Sequence, residues 1–268
     1  MEPPLLYVGL TLVFGLVGGL LPILNQSKEN ISKLKMLTGI ASGILIASAM
    51  LVVIPEGFEL ATEDEHAETL VLGGAILAGF ALMLILEGSG IGHAVHEEHH
   101  NHEHDHGHSH VHHGPSGWML VFGPSLHAAT DGLAIGAAAA SGGVTVTAAV
   151  AFAVLIHKAP AAFSLGVFSM HERGDKSKSI RDVVIFSLAT PVMIMVAFYA
   201  LTDLGHHMIG LAMLFSAGTF LYVATVDTLP DIHNPETGRK ALMYVITGII
   251  ILAILLVLAD SLNLGHEH

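Results

Sequence analysis

The chain of 268 residues contains no cysteine and few charged side chains. The absence of cysteine excludes disulfide bonds, thiolate metal ligands and thiol catalysis. Only 12% of the residues are charged and 52% are hydrophobic, whereas charged residues make up about a quarter of an average soluble domain. The ten lysines and arginines are too few and too scattered to form a nucleic-acid-binding surface. This composition predicts a membrane protein.

The apolar residues fall into eight runs, each close to the roughly 20 residues that a helix needs to cross a bilayer. The runs cover residues 5–24, 36–56, 69–90, 117–140, 144–169, 182–203, 207–229 and 241–262. We therefore predict an all-α membrane protein with eight transmembrane helices that form one domain over residues 1–268. The first run has no preceding basic residue and no clear cleavage site, so we interpret it as a retained span and not as a signal peptide.

The basic residues, Lys158 apart, all follow odd-numbered spans. Three lysines lie after span 1 or at the start of span 2, four basic residues lie between spans 5 and 6, and two lie between spans 7 and 8. The connections on the other side carry acids such as Glu59 and Glu63 and no Lys or Arg. Because basic loops stay in the cytoplasm, we predict that both termini are extracytoplasmic. The expected location is the plasma membrane.

One of the predicted cytoplasmic loops, residues 91–115, is dense in histidine. Between His93 and His113 it holds eleven histidines and no Lys or Arg. Such density predicts weak metal binding, and a solvated tract without a dedicated role is the alternative. The candidate ligands are His99, His100, His102, His104, His106, His108 and His110.

Spans 2 and 7 share a pattern of small residues, proline and acid. Gly43 and Gly218 each stand twelve residues before a proline, Pro55 and Pro230, and an acid follows each proline. In the predicted topology span 2 runs outward and span 7 runs inward. The similarity therefore predicts an inverted repeat that relates spans 1–3 to spans 6–8 around spans 4–5, as is common in transporters. Chance similarity between two helices rich in Gly and Ala is the alternative.

Spans 4 and 5 carry the polar residues that a bilayer tolerates least. His127 and Asp131 are four residues apart in span 4 and share a helix face, and His157 lies near the middle of span 5. Ionisable groups at this depth are costly unless they are paired or bind an ion. Because two imidazoles and a carboxylate suit zinc, these residues predict a metal site. The alternative is a hydrogen-bonded packing role for each histidine.

Lys158 follows His157 directly and requires its own explanation. Adjacent residues of a helix point about 100° apart, so the two side chains cannot overlay. One interpretation is that the ammonium group takes the place of a second metal ion. Another is that the lysine loses its proton when metal binds, because burial and a nearby cation favour the neutral amine. In a third, the long side chain extends into a polar cavity.

These residues stand in motifs that resemble those of the ZIP (Zrt/Irt-like) metal transporters. Span 4 contains HAATDG, from His127 to Gly132, and span 5 contains HKAPAAF, from His157 to Phe163. The resemblance also covers the eight spans, the extracytoplasmic termini and the His-rich loop. It implies uptake of zinc, or a similar divalent ion, into the cytoplasm by alternating access. The ion is then a substrate, so neither a cofactor nor a catalytic residue is expected, and a homodimer in the bilayer is compatible with the resemblance.

The sequence departs from the two-metal members of that family. Where those members place ligands for a second ion, this chain has Ala128, Lys158 and Ala161. The resemblance therefore implies a single metal, held by the two histidines and the aspartate named above, with Lys158 replacing the second site. Glu56 and Asp227 are candidate stations along the pathway, and the alternative for each is a hydrated acid at a helix end.

The sequence alone leaves three other functions open. A metal exporter of the cation-diffusion-facilitator type also has HxxxD motifs, but it has two of them, six spans and a soluble C-terminal domain. An intramembrane zinc hydrolase would need a general acid or base, and Glu56 or Glu87 would have to supply it, since HExxH occurs only within the His-rich loop, at residues 96–100 and 102–106, and in none of the predicted spans. A metal sensor that does not transport is also compatible with the sequence.

Overall fold

The computed structural model describes residues 2–25, 31–63, 68–89, 119–233 and 238–261, with side chains except at 25, 31–34, 119–120, 227–237 and 259–260. All regular structure in these ranges is helical. The helices are α1 (Leu5–Asn25), α2 (Ile31–Ser48), α3 (Ile54–Glu63), α4 (Thr69–Gly88), α5 (Met119–Ala140), α6 (Val144–Arg173), α7 (Lys176–Leu201), α8 (His206–His233) and α9 (Gly238–Ser261). The predicted all-α class is confirmed, and the His-rich loop lies outside the described residues.

Seven of the eight predicted spans are helices long and apolar enough to cross a membrane. They are Leu5–Leu24, Lys35–Glu63, Thr69–Gly88, Val144–Arg173, Lys176–Leu201, His206–Val226 and Gly238–Leu258. The remaining span corresponds to α5, which is helical but less apolar because it carries Pro124, His127 and Asp131. Since α5 packs against α6, α7 and α8, neighbouring helices cover its polar groups.

Span 2 is longer and less regular than predicted. Helix α2 passes through a π-helical turn, Ala49–Val53, and continues as α3 to Glu63. Pro55 closely follows this π-turn, where the regular α-helical hydrogen-bond pattern is already altered and a residue without an N–H is accommodated. A π-turn inserts one extra residue into the helix and is frequent near functional sites. The prediction that the span ends near residue 56 was wrong, because the apolar run stops there while the helix does not.

The connection between α6 and α7 is shorter than predicted. Only Gly174 and Asp175 separate the helices, so Lys176, Lys178 and Arg181 belong to α7 and not to a loop. Gly174 has φ 57°, the left-handed conformation that glycine adopts readily. The Asp175 side chain accepts hydrogen bonds from the first turn of α7 and starts that helix. We call this end of the bundle, which carries the basic residues, the basic end.

A buried cluster joins α6 to α7 near the basic end. The carboxylate of Asp182, which is 0% exposed, accepts a 2.8 Å hydrogen bond from Ser169 Oγ and pairs with Arg173 and Arg181. Breaking such a pair by removing one partner would leave a buried charge uncompensated. The Asp182 cluster, formed by these four residues, therefore holds the two helices together beyond their two-residue turn.

Glycines bring two pairs of helices into backbone contact. A Cβ atom would lie 2.0 Å from a backbone oxygen of α9 at Gly43 of α2, and 2.1 Å from one of α2 at Gly248 of α9. Helices α4 and α8 meet in the same way, with distances of 1.9 Å at Gly79 and 2.0 Å at Gly218. Small residues permit such close approach between membrane helices.

The packed core lies toward the end of the bundle opposite to the basic end. Ala137 of α5, Val150 of α6, Phe198 of α7 and Phe220 of α8 belong to one cluster and are at most 2% exposed. Residues 141–143 connect α5 to α6 there, and Gly142 has φ 82°. Helix α5 therefore begins at the basic end and α6 returns to it, so that the two run antiparallel.

Candidate metal site

The three predicted ligands lie together between α5 and α6. The ligand atoms of His127, Asp131 and His157 all lie within 4.8 Å of one another. His127 Nε2 is 3.7 Å from Asp131 Oδ1, and His157 Nε2 is 3.2 Å from Asp131 Oδ2. The side chains are 12%, 2% and 8% exposed in chain order. Ligands of a tetrahedral zinc ion are about 3.3 Å apart, so small shifts would bring these atoms onto one ion.

Two glycines of α5 place Asp131 at this depth. A Cβ atom at Gly132 would lie 2.4 Å from Thr190 O, and one at Gly136 would lie 2.7 Å from Ile194 O. Helix α5 therefore lies directly against the backbone of α7. The opposite face of the same turn of α5 presents His127 and Asp131 to α6, since residues four apart share a face.

The histidine ring of α6 is oriented by its own helix. His157 Nδ1 lies 3.1 Å from the carbonyl oxygen of Ala153, which can only accept, so Nδ1 carries the proton. In the neutral tautomer Nε2 then directs a lone pair at Asp131 Oδ2, 3.2 Å away. Two acceptors facing each other at this distance require a cation between them, which is either a second ring proton or a metal ion. The hydrogen bond from His157 Nδ1 to the carbonyl oxygen of Ala153 is of the kind usually found behind metal-ligating histidines.

A cavity of about 160 Å³ extends from the site toward the basic end. His127 and His157 both line it, together with residues from the first turns of α5 and the second half of α6, such as Pro124 and Ser164. A cavity of this volume holds several water molecules, since each water needs about 10–15 Å³ of cavity volume. An ion at the site can therefore complete its coordination with water from the cavity.

The Lys158 side chain reaches α7. It is 0% exposed, and its Nζ donates a 2.6 Å hydrogen bond to Thr190 Oγ1 and lies 4.5 Å from the centre of the Phe186 ring. The Thr190 hydroxyl donates in turn to the carbonyl oxygen of Ala128, at 2.6 Å. Lys158 also interacts electrostatically with Asp131. The ammonium group therefore links α6 to α7 and, through Thr190, to α5, close to the predicted metal ligands.

Sequence reasoning missed Thr190, the residue that connects Lys158 to α5. A signal existed, because Thr190 is one of the few polar residues of a mostly apolar span and directly precedes Pro191. That pattern does not reveal which helix face meets Lys158. The contact follows only from the close packing of α5 on α7.

The structure describes the two predicted pathway residues, Glu56 and Asp227, in less detail than the metal site. Glu56 lies in α3, half-buried, and is not among the described residues that line the cavity. Asp227 belongs to α8, but its side chain lies outside the described part of the chain. The seven candidate histidines of the His-rich loop also lie outside it. Their roles stay predictions.

The architecture defines an integral, multi-pass membrane protein with polar residues concentrated in its central helices. A family model described as "ZIP Zinc transporter" matches residues 2–113 and 89–256. The chain belongs to this ZIP zinc transporter family. Membership confirms the family predicted from the motifs, a divalent metal ion as the substrate, and a transporter rather than an enzyme.

Two relatives match along almost the whole chain, and a third matches along about half of it. Zinc transporter ZIP9-A of Xenopus laevis is 33% identical over 297 residues, covering 94% of this chain and 94% of its own. Zinc transporter ZIP9 of Micropogonias undulatus is 33% identical over 304 residues, with the same coverage of both chains. Zinc transporter ZIP10 of Homo sapiens is 31% identical over 126 residues, which cover 46% of this chain and 15% of the relative.

Proposed function

We propose that the chain is a zinc transporter that binds one divalent ion at His127, Asp131 and His157 and releases it to the cytoplasm by alternating access. The observation that carries the proposal is the cluster of three buried ligand side chains at the end of the cavity that lies farthest from the basic end. Three protein ligands leave a tetrahedral ion one open position, as in zinc sites that exchange ligands. A transported ion needs such a position because it must be released as well as bound.

The direction of transport is supported by the charge of the bundle ends. The cavity opens toward the basic end, and the positive-inside rule assigns that end to the cytoplasm. On the other side of the ligands lies the packed core of small and aromatic residues, including Ala137 and Phe220. The conformation described here is then an inward-facing one, in which the ion reaches water only from the cytoplasm. Both termini would be extracytoplasmic.

Alternating access is supported by contacts that an inverted repeat would produce. If spans 1–3 are related to spans 6–8, the packing of α2 on α9 is equivalent to that of α8 on α4. Both pairs meet through reciprocal glycine contacts, and Gly43 and Gly218 occupy equivalent places in the sequence pattern. Likewise, α1 packs on α6 and α7 packs on α5. In the proposed transition, the contacts of one repeat and the equivalent contacts of the other repeat exchange their arrangements around the central helices.

Lys158 is proposed to stand where a second ion would bind. Through Thr190 its ammonium group reaches the carbonyl oxygen of Ala128, one of the positions that carries a second-site ligand in the two-metal pattern. A fixed cation there links three helices and repels a second ion. The site is therefore proposed to hold a single metal.

We expect Lys158→Met to keep the zinc stoichiometry of wild type but to lower the zinc transport rate about tenfold, since a charged hydrogen bond is worth roughly 1.5–3 kcal/mol. Methionine retains most of the side-chain volume, so packing is preserved. Lys158→Asp should allow a second, weaker zinc ion to bind. Zinc per protein is measured by equilibrium dialysis, with the exposed Lys178→Met as the control. Unchanged stoichiometry and rate in both Lys158 variants would remove this role from Lys158.

Transport itself is tested with purified protein in liposomes that contain a zinc-sensitive dye. Wild type should give zinc influx, and His157→Ala should lower it at least about 100-fold, because even supporting residues around a metal ligand contribute 10–100-fold to affinity. His171→Ala, an exposed histidine on the same helix, is the matched control and should transport normally. Absence of flux in wild type for both orientations would refute the proposal, and outward-only flux in cells would indicate an exporter.

The remaining predictions fit this function and are part of the proposal. The chain would act as a single domain in the plasma membrane, and a homodimer is compatible with it. It would use no cofactor, since the ion is its substrate. The His-rich loop, after span 3, would bind released metal weakly near the cytoplasmic mouth.

A further inference from the structure

One buried hydroxyl of span 2 has no hydrogen-bond partner among the described residues. Ser48 ends α2 directly before the π-turn, is 0% exposed, and its Oγ is the unpartnered atom. Buried serines and threonines in helices commonly donate to a carbonyl oxygen of their own helix, as Thr11 does to Tyr7 and Ser216 does to Ala212. A buried hydroxyl without a partner is unfavourable. A conformation that brings water or an ion to Ser48 would remove this cost.

Ser48 lies beyond the end of the cavity that is farthest from the basic end. Ala47, next to it in the chain, packs in one cluster with Ala153 of α6. Ala153 precedes His157 by four residues, or about 6 Å along a helix that runs toward the basic end. Ser48 is therefore about one helical turn farther from the basic end than His157, and it is not among the described residues that line the cavity.

Ser48 continues the face of span 2 that lines the cavity. Ala41 lines the cavity, and Ser48 follows it by seven residues, so the two side chains point within about 20° of each other. Glu56 follows Ser48 by eight residues, which would turn it by about 80° in an uninterrupted α-helix. The π-turn takes up one extra residue and reduces this angle to about 20°. Ala41, Ser48 and Glu56 thus share one face of span 2, which we call the Ser48 face.

A missing hydrogen bond alone does not indicate a route for the ion. Ser187 of α7 is also 0% exposed, and its Oγ also has no partner in the described part of the chain. It points at α1, where a Cβ atom added to Gly15 would lie 2.8 Å from Ser187 Oγ, and neither residue lines the cavity. Ser48 differs by its position, on a face that lines the cavity toward the basic end and carries the half-buried Glu56 toward the other end.

We propose that the Ser48 face lines the route of the ion on both sides of the three ligands, and that the Ser48 hydroxyl hydrogen-bonds the hydrated ion on the extracytoplasmic half of that route. The proposal rests on the proposed transport function, because it requires a second, outward-facing conformation. In the inward-facing conformation this half of the route is closed, and the hydroxyl is left without a partner. Opening it brings water to Ser48, so the hydroxyl favours the outward-facing conformation.

Two alanine variants separate this role from a structural one. Ser48→Ala and Ser187→Ala each remove a buried hydroxyl that has no partner, so neither should lower the melting temperature of the purified full-length protein. Ser48→Ala should slow zinc influx into dye-loaded liposomes about tenfold, because the cost of the unsatisfied hydroxyl no longer favours the outward-facing conformation. Ser187→Ala, the matched control, should transport at the wild-type rate.

The absence of cysteine allows a direct measurement of access to Ser48. The chain contains no other thiol, so a single introduced cysteine is labelled without background. A membrane-impermeant methanethiosulfonate reagent is applied to the extracytoplasmic side of sealed vesicles of known orientation. We expect the reagent to label Ser48→Cys and not Ser187→Cys. Cysteine is close to serine in size, so this variant also serves if Ser48→Ala does not fold.

Either of two results overturns the proposal. One is equal zinc influx in Ser48→Ala and Ser187→Ala. The other is the absence of extracytoplasmic labelling in a Ser48→Cys variant that still transports zinc. Failure of the transport function is distinguishable, because wild type would then show no zinc flux, while labelling of Ser48→Cys and not of Ser187→Cys would still support a water-filled route along the Ser48 face.

Discussion

Replacement of Asp131 by Asn is expected to abolish zinc transport. Asparagine keeps the size of the side chain but removes the only carboxylate of the proposed site, whose two oxygens lie 3.7 Å from His127 Nε2 and 3.2 Å from His157 Nε2. Loss of a direct ligand should exceed the 10–100-fold reduction in affinity that follows loss of a supporting residue, so we expect zinc affinity to fall more than about 100-fold. Equilibrium dialysis measures the affinity and dye-loaded liposomes measure the flux.

The same substitution should also reduce stability, because Asp131 is the acid that interacts with buried Lys158. An unpaired buried charge typically destabilises a protein by about 3–5 kcal/mol. In the double variant Asp131→Asn/Lys158→Met the cation is removed as well, so thermal stability in detergent should recover while transport does not. Asp203→Asn, at an exposed turn, is the control. Zinc flux within a few-fold of wild type in Asp131→Asn would contradict the assigned role.

Replacement of Gly218 by Ala is expected to destabilise the folded protein. The added Cβ would lie 2.0 Å from the backbone oxygen of Ile76, so α4 and α8 must move apart. Overpacking of this kind usually costs about 1–3 kcal/mol, and a backbone neighbour cannot yield as a flexible side chain does. Gly43→Ala should act similarly, because its Cβ would lie 2.0 Å from Val245 O. The melting temperature of the purified protein measures the effect.

Gly74→Ala provides the matched control for these glycine variants. It lies in α4, where nothing stands within 4 Å of an added Cβ, so the melting temperature should stay the same or rise slightly. If Gly218→Ala and Gly74→Ala had equal melting temperatures, the close contact between α4 and α8 would not support the fold.

The parts of the fold that the sequence predicted are those set by local chemistry. Long apolar runs indicated the spans, and the four-residue spacing of His127 and Asp131 indicated a shared face because a helix repeats every 3.6 residues. The start of α7 was missed because Lys176 and Lys178 resemble loop residues. Their long side chains can reach water from within a helix, and the Asp175 cap supplies the start signal.

The parts that the sequence did not predict depend on which faces of distant helices meet. Lys158 was recognised as unusual, but its partner Thr190 is 32 residues away and is reached only because Gly132 brings α5 against α7. The hydrogen bond between Glu87 and Tyr222 spans 135 residues in the same way. Neither apolar periodicity nor motif spacing contains this information, because both describe one helix at a time.

The Asp182 cluster makes α6 and α7 a hairpin that is fastened at one end. Ser169, in the cluster, is twelve residues from His157, which corresponds to a lever arm of about 18 Å along α6. A tilt of about 3° at the fastened end displaces His157 by about 1 Å, comparable with the shifts that would bring the three ligands to the spacing of a tetrahedral ion. The angle between the two helices, set far from the proposed metal site, would thus adjust the distances at which the three residues coordinate an ion.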